Sequence, residues 1–372
     1  MKVLIAADIF PPDTGGPATY CVAMASELTK HGVDVAIVSL NPKSDKTKVT
    51  CKIKHTTSKS KIFRYIEYFG LLLREAKNYD IIYAMGPVNA GLPSLLVGII
   101  RRKKVVTKVV GDYAWEQGIQ RFGVTDLIDP FQKKTNYSFK VQLFKKTQSF
   151  VVKHADRVIV PSNYLKSIVV RWGAKEKNVT VIYNAVHLGK AEPKNHPDEK
   201  WIISVARLVP WKGMEVLIDA FVDVRHQVRG SRLKIIGGGP ELEKLKKKVK
   251  DEYLDDVVEI LGNLPREQVL IYIASSDVFV LNSAYEGLSH VLLEALSFDK
   301  VIISSNAGGN PEIIKPGETG ELFDYNNKEQ IKEKLLSALH GEIDNPTKNE
   351  EFFRQFIFEN MFNQTKQTLE NV

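Results

Sequence analysis

Short runs of mostly apolar residues recur along this chain, each followed by a stretch with helical spacing, and the series runs twice. In the first half the runs are Val3–Ala7, Val33–Leu40, Ile81–Met85, Val105–Val110, Val158–Val160 and Val179–Tyr183. Helices are predicted between them, over about 17–30, 63–78, 89–101, 131–154 and 164–172. After a polar, proline-bearing linker at 186–200, the alternation restarts. Strands are predicted at Trp201–Val205, Leu233–Ile236, Val257–Leu261, Val278–Leu281 and Val301–Ser304, with helices at 214–228, 240–251, 266–275 and 288–297. A strand that is apolar at every position is buried on both faces, and strands that alternate with helices meet that need in a parallel sheet covered on both sides. The expectation is an α/β chain of two tandem doubly wound domains facing across a cleft. Residues 1–185 form the first and 186–349 the second, and a C-terminal helix at about 350–372 packs back on the first. With 372 residues there is enough chain for two such cores.

Charge separates the halves. Residues 1–184 hold 29 Lys and Arg against 14 Asp and Glu, while 185–372 hold 23 against 30, so +15 and −7 make up the net +8. A basic half points to an anionic partner. Its clusters are Arg101-Arg102-Lys103-Lys104, Lys133-Lys134 with Lys140, and Lys145-Lys146 with Lys153. No nucleic-acid module is legible around them. An anionic membrane leaflet or a phosphate-bearing acceptor is expected instead, and nucleic acid is not. Cys21 and Cys51 make no disulfide framework or metal cluster, which suits a reducing compartment. The opening apolar run is too short for a signal peptide. Leu92–Ile100 is about half of a membrane span, so a cytoplasmic protein is expected, peripheral on the inner face of the plasma membrane.

Ligands of open parallel sheets sit beyond the C-terminal ends of the strands, and polar residues gather there. After the strand ending at Leu281, the chain reads AYEGLSHVLLEALSFDKVIISSNAGGNPE over 284–312. A first helical turn near Gly287, Leu288 and Ser289 would offer free N–H groups to an anion. Glu286 and Glu294, eight residues apart, would then reach hydroxyls at two points of one bound molecule. A sugar nucleotide has that layout of polyol, diphosphate and second polyol. Arg207 and Lys212, on one strand-to-helix loop, suit the diphosphate. Gly238 permits close backbone approach to a ligand, or simply a tight turn. Gly262, Asn263 and Leu264 could border a planar base. In the first half, the Gly15-Gly16 loop offers N–H groups to phosphate or acceptor. Asp112, Tyr113 and Glu116 follow a strand end and are candidate contacts to the transferred group or its acceptor. Asn310 and Glu312 are candidate sugar contacts, Glu312 alternatively being the first-turn acid of a short helix. Asp-x-Asp, a metal seat for nucleotide sugars, is absent from the sequence, and no metal is expected in the donor site.

These residues resemble the retaining glycosyltransferases with two Rossmann-like domains (the GT-B type), known as family 4 or glycosyl transferases group 1. The resemblance rests on the Gly15-Gly16 loop, Arg207 with Lys212, Gly237–Pro240, Glu286 with Glu294, and Gly308-Gly309-Asn310-Pro311-Glu312. It implies a nucleotide-diphosphate hexose as donor, a lipid-linked or polysaccharide acceptor, and transfer with retention at the anomeric carbon. No cofactor beyond the donor is implied. Glu286 would contact the donor sugar, Glu294 the ribose, and Arg207 and Lys212 the diphosphate. Many members carry a histidine where this chain has Gly111-Asp112, so Asp112 is the expected acceptor-side group. An epimerase of the same fold and a non-catalytic sugar-nucleotide binder are the competing readings.

Overall fold

The computed structural model describes all residues except 14, 46–47, 186–190 and 345–349, and the side chain of residue 350. The first five residues of the predicted linker therefore lie outside the description. The chain divides into two compact units, Met1–Tyr183 with Glu359–Val372, and Asn184–Phe358.

Unit 1 runs β1 (Lys2–Ala7), α1 (Gly16–Lys30), β2 (Asp34–Ser39), β3 (Lys52–His55), α2 (Lys61–Glu75), β4 (Ile81–Met85), α3 (Gly91–Arg101) and β5 (Lys104–Lys108). It continues with α4 (Tyr113–Arg121), α5 (Ile128–Lys133), α6 (Phe139–His154), β6 (Arg157–Val160), α7 (Asn163–Arg171) and β7 (Val179–Val181). Its sheet has the order β3-β2-β1-β4-β5-β6-β7, and every pairing is parallel. Leu4, Ala6, Val38, Ile82 and Ala84 pack on one face against Tyr68 and Leu72 of α2 and Val97 of α3.

Unit 2 runs β8 (Lys200–Val205), α8 (Met214–Arg225), β9 (Ser231–Ile236), α9 (Leu242–Asp251), β10 (Val258–Gly262), α10 (Arg266–Ser275) and β11 (Val278–Leu281). Then come α11 (His290–Ser297), β12 (Val301–Ser305), α12 (Asn310–Ile313), β13 (Glu321–Phe323), α13 (Lys328–Leu339) and α14 (Glu350–Arg354), after which α15 (Phe358–Glu370) returns the chain to unit 1. Its sheet order is β10-β9-β8-β11-β12-β13, again all parallel. Both sheets reverse their winding beside the first strand, at β1/β4 and β8/β11. Those are the crevices where such sheets take ligands.

Several expectations need correcting. β3 was not predicted, because an edge strand that buries only Ile53 between Lys52 and Lys54 lacks the apolar run. β13 and α13 were missed as well. The single helix expected over 131–154 is broken into α5 and α6, where Lys134 and Tyr137 turn aside to bind the Asp126 carboxylate (Tyr137 Oη to Oδ2, 2.9 Å). The helix expected over 350–372 is two helices, with Phe356 buried at the turn between them. α15 lies on unit 1, with Thr365 Oγ1 3.5 Å from Tyr20 Oη and the Phe362 ring 4.6 Å from that of His31.

Candidate active site

In unit 2 the loops leaving β8 and β11 are strapped together. The β8 loop passes through a tight turn at Pro210–Lys212 and enters α8 at Gly213, whose φ is +53°. Asn282, directly after β11, donates from Nδ2 to Gly213 O (2.8 Å) and to Asn326 Oδ1 (2.8 Å), and accepts from Asn326 N (3.0 Å). A Cβ on Gly213 would stand 2.3 Å from Asn282 Nδ2, so the strap tolerates no side chain there. Ala284 N also donates to Trp211 O at 2.8 Å.

The strap sets Lys212 Nζ directly on the Glu286 carboxylate. Their side chains keep 11% and 17% of their surface. An ion pair withdrawn from water to that degree is held by geometry, and removing one partner strands the other. Glu286 is fixed from its backbone too, because its carbonyl accepts from Gly309 N at 2.8 Å. Gly308 has φ +60°, and a Cβ there would lie 2.2 Å from Glu286 O. Behind them, Ser305 Oγ donates to Ser283 O (2.6 Å) and accepts from Ser283 N (3.0 Å). Arg207, one residue beyond Ala206 on the β8 loop, is exposed.

Glu294 lies inside α11, buried, with Oε1 2.6 Å from Arg266 Nη2 of α10. Burial pushes its carboxyl up, and the Arg266 guanidinium works against that shift. The expected helix start is corrected: α11 begins at His290 with Ser289 as its N-cap, so Gly287 and Leu288 are loop. Serine accepts the extended backbone of a cap, which ends the helix there. The glycines at 237–239 approach their own chain. Leu208 N donates to Gly238 O (2.9 Å), Gly237 N donates to Gly262 O (2.9 Å), and a Cβ on Gly238 would reach 2.5 Å from Asn263 Nδ2. Asn263 is exposed, with Leu264 half-buried beside it. Asn310 is fully buried and donates to Ser305 O (3.2 Å), which makes it scaffold instead of an open sugar contact. Glu312 is half-buried in the first turn of α12.

The strand ends of unit 1 are built differently. Gly15 is the N-cap of α1, with Gly16 opening the helix and no acidic residue in its first turn. Asp112 does not fit the role expected of it. It is fully buried and caps α4, its Oδ1 accepting from Trp115 N (3.0 Å) and Gln148 Nε2 (2.9 Å) and its Oδ2 from Gln132 Nε2 (2.7 Å). Burial raises its pKa against those three donors. Tyr113 is half-buried, edge-on to Phe144 at 5.3 Å, and Glu116 lies in the first turn of α4.

Two residues of this pole escaped the sequence reading. Asp8, the first polar residue after β1, accepts from Asn89 Nδ2 (3.2 Å), and Asn89 Oδ1 accepts from Tyr65 Oη (2.8 Å). Burial pushes the Asp8 carboxyl up to about 6. Lys108, the last residue of β5, is buried with Nζ 4.1 Å from the centroid of the Tyr20 ring and no hydrogen-bond partner among the described residues. Burial lowers it to about 7. The strand-end rule that picked out Arg207 would have found both.

Residues 14–190 match the family described as Glycosyltransferase Family 4, and residues 189–354 match Glycosyl transferases group 1. The two matches meet at residues 189–190, shortly after the division of the units between Tyr183 and Asn184. The chain belongs to the family 4 glycosyltransferases. An uncharacterized glycosyltransferase of Methanocaldococcus jannaschii is 27% identical over 369 residues, covering 96% of this chain and 95% of the relative. A GDP-mannose-dependent alpha-(1-6)-phosphatidylinositol monomannoside mannosyltransferase of Mycobacterium tuberculosis is 32% identical over 145 residues, 37% of this chain and 38% of its own. Among solved structures, Anabaena HepE in complex with UDP-glucose superposes with a TM-score of 0.77 at 17% identity, covering all of both chains. Such a distant likeness speaks for the fold of this glycosyltransferase, two Rossmann-like domains of the GT-B type.

Proposed function

We propose that this glycosyltransferase moves a hexosyl group from a nucleotide-diphosphate sugar to a lipid-linked or polysaccharide acceptor, with retention of configuration. The observation that carries the reading is the Lys212–Glu286 pair at the β8/β11 crevice, with exposed Arg207 on the same loop as Lys212. The two cations would take the diphosphate oxygens and neutralise charge as the bond to the sugar breaks. A phosphate oxygen arriving at Lys212 releases Glu286 to accept hydrogen bonds from the sugar hydroxyls. Glu294, steadied by Arg266, would accept from the ribose. With Asp112 enclosed by its three donors, no acceptor-side base is assigned to it. The C1–O bond to the diphosphate breaks while the acceptor oxygen bonds C1 from the same face, and the acceptor proton passes to the leaving phosphate oxygen.

The names of relatives support this choice of substrates: HepE was solved with UDP-glucose, and the mycobacterial relative is named for GDP-mannose and a phosphatidylinositol acceptor. A donor site without a divalent metal belongs to the same proposal, since Arg207 and Lys212 supply the countercharge. Thermal unfolding with UDP, GDP and ADP tests it. A nucleotide that binds only the folded chain adds about 2.7 kcal/mol at a hundredfold excess over its Kd. One of the three is expected to raise the melting temperature, in chelator as well as in magnesium. The reading fails if none does, or if Lys212→Ala responds as strongly as the parent.

A further inference from the structure

Helices α2 and α3 are neighbours on one face of the unit 1 sheet, joined at one end by Arg101 Nε donating to Leu73 O at 3.1 Å. Their inner sides bury Tyr68, Leu72, Leu95 and Val97. Their outer sides are also apolar. Ile62, Phe63, Ile66, Ile99 and Ile100 each keep between 58% and 74% of their surface exposed, and Leu96 keeps 40%. Single exposed hydrophobes are ordinary, but six on two adjoining helices make a patch of the kind that marks an interaction surface.

The charges around the patch select its partner. Lys59, Lys61, Arg101 and Arg102 are exposed at its two ends, and residues 89–104 contain no acid. The two acids of 57–75 are both engaged. Glu67 accepts from the backbone of Thr57 (2.9 Å) and Ser58 (3.0 Å), and Glu75 is buried against Lys52 (2.6 Å). A second copy of the chain would bring the same positive rim against itself. An anionic bilayer offers hydrocarbon to the isoleucines and phosphate to the rim.

We propose that the outer face of α2 and α3 docks on an anionic lipid bilayer. The first turns of α2 also touch the strand-end pole, through Tyr65 Oη to Asn89 and from Asn89 to Asp8. A head group presented at that membrane surface is thereby delivered beside the C-terminal ends of β1 and β4. This purpose rests on the lipid-borne acceptor proposed above, whereas the docking itself does not.

Vesicle flotation of the full chain tests the surface, with phosphatidylcholine vesicles containing phosphatidylglycerol set against pure phosphatidylcholine. The parent is expected to float with the anionic vesicles only. Phe63→Glu with Ile66→Glu lowers the partition at least ~10-fold, and Phe63→Leu keeps it. Lys59→Glu with Lys61→Glu lowers it by a similar factor and flattens its dependence on salt. Because all four positions are exposed, the variants should melt with the parent, and their response to nucleotide should not change. The proposal is overturned if the parent floats with neither vesicle, or if the Phe63/Ile66 variant floats as the parent does. Sedimentation showing a parent dimer that this variant dissolves would overturn it in favour of a second copy. Nucleotide binding without flotation removes the docking surface alone, while flotation without nucleotide binding removes the donor reading and leaves the surface.

Discussion

Each domain carries a buried or nearly buried lysine beyond the C-terminal ends of its strands, Lys108 closing β5 and Lys212 in the loop after β8, and the two are treated in opposite ways. In unit 2, Lys212 sits on the Glu286 carboxylate, and the loops beneath are clamped by Asn282 and Gly308. In unit 1, Lys108 Nζ lies over the Tyr20 ring with no hydrogen-bond partner among the described residues, and the carboxylate of Asp8 accepts from a neutral amide. One pole holds fixed, matched charge ready for exchange with an anion. The other holds unmatched groups whose burial shifts them toward neutrality, which suits hydroxyl-bearing ligands better than charged ones. A paired buried charge can serve a ligand because the ligand replaces the partner. An unpaired one lowers stability and is tolerated only where the rest of the fold can bear it.

The sharpest way to break the contrast is to remove Glu286. Glu286→Ala should lower kcat by about 1000-fold while nucleotide still raises the melting temperature, since the contact proposed for Glu286 is to the sugar. Equal loss of nucleotide binding would mean that Glu286 only holds Lys212 in place. Lys108→Met should act in the other direction and stabilise the chain. The folded amine titrates near 7 against 10.5 when free, so between those values the folded state has given up a proton that the unfolded state keeps. Parent stability thus rises with pH across that window and is weakest at its lower end. At neutral pH the variant should gain on the order of 4 kcal/mol in denaturant unfolding, and the gain should vanish above the upper end. An unchanged midpoint would show that Lys108 has a partner in solution.

Asp8→Asn should give the smallest effect. Here the folded carboxyl titrates near 6 against 3.8 when free, so its contribution is present below the lower value and is lost as pH rises through the upper one. Above that window the variant should be more stable by roughly 3 kcal/mol, with the difference closing as pH falls below it. A variant no more stable at neutral pH would mean that Asp8 is ionised and served by water. It would then resemble the matched charges of unit 2.

Much of the fold was legible because burial on both faces leaves a signature in one dimension. The apolar runs of β1, β4 and β11, and that of β8 broken only by Ser204, announce parallel strands without reference to anything distant. β3 stayed hidden because an edge strand needs little apolar surface, and the break between α5 and α6 because it depends on Asp126 reaching Lys134 and Tyr137. At the site, Arg207, Lys212, Glu286 and Glu294 stand out by type and spacing near strand ends. The partners that position them do not. Arg266 lies 28 residues before Glu294, and Asn326 lies 44 residues beyond Asn282.

Asp112 shows the limit most clearly. Its place after a strand fits a ligand contact and a helix cap equally well, and only the arrival of Gln132 and Gln148 from other helices decides for the cap. The sequence by itself determined the two parallel sheets and the chemical types gathered at their strand ends, since periodicity and residue identity are properties of neighbours along the chain. Which of those side chains face water, which are sealed in, and which charge meets which was decided by tertiary structure alone. Burial and pairing depend on residues that are distant in sequence and come together only when the chain folds.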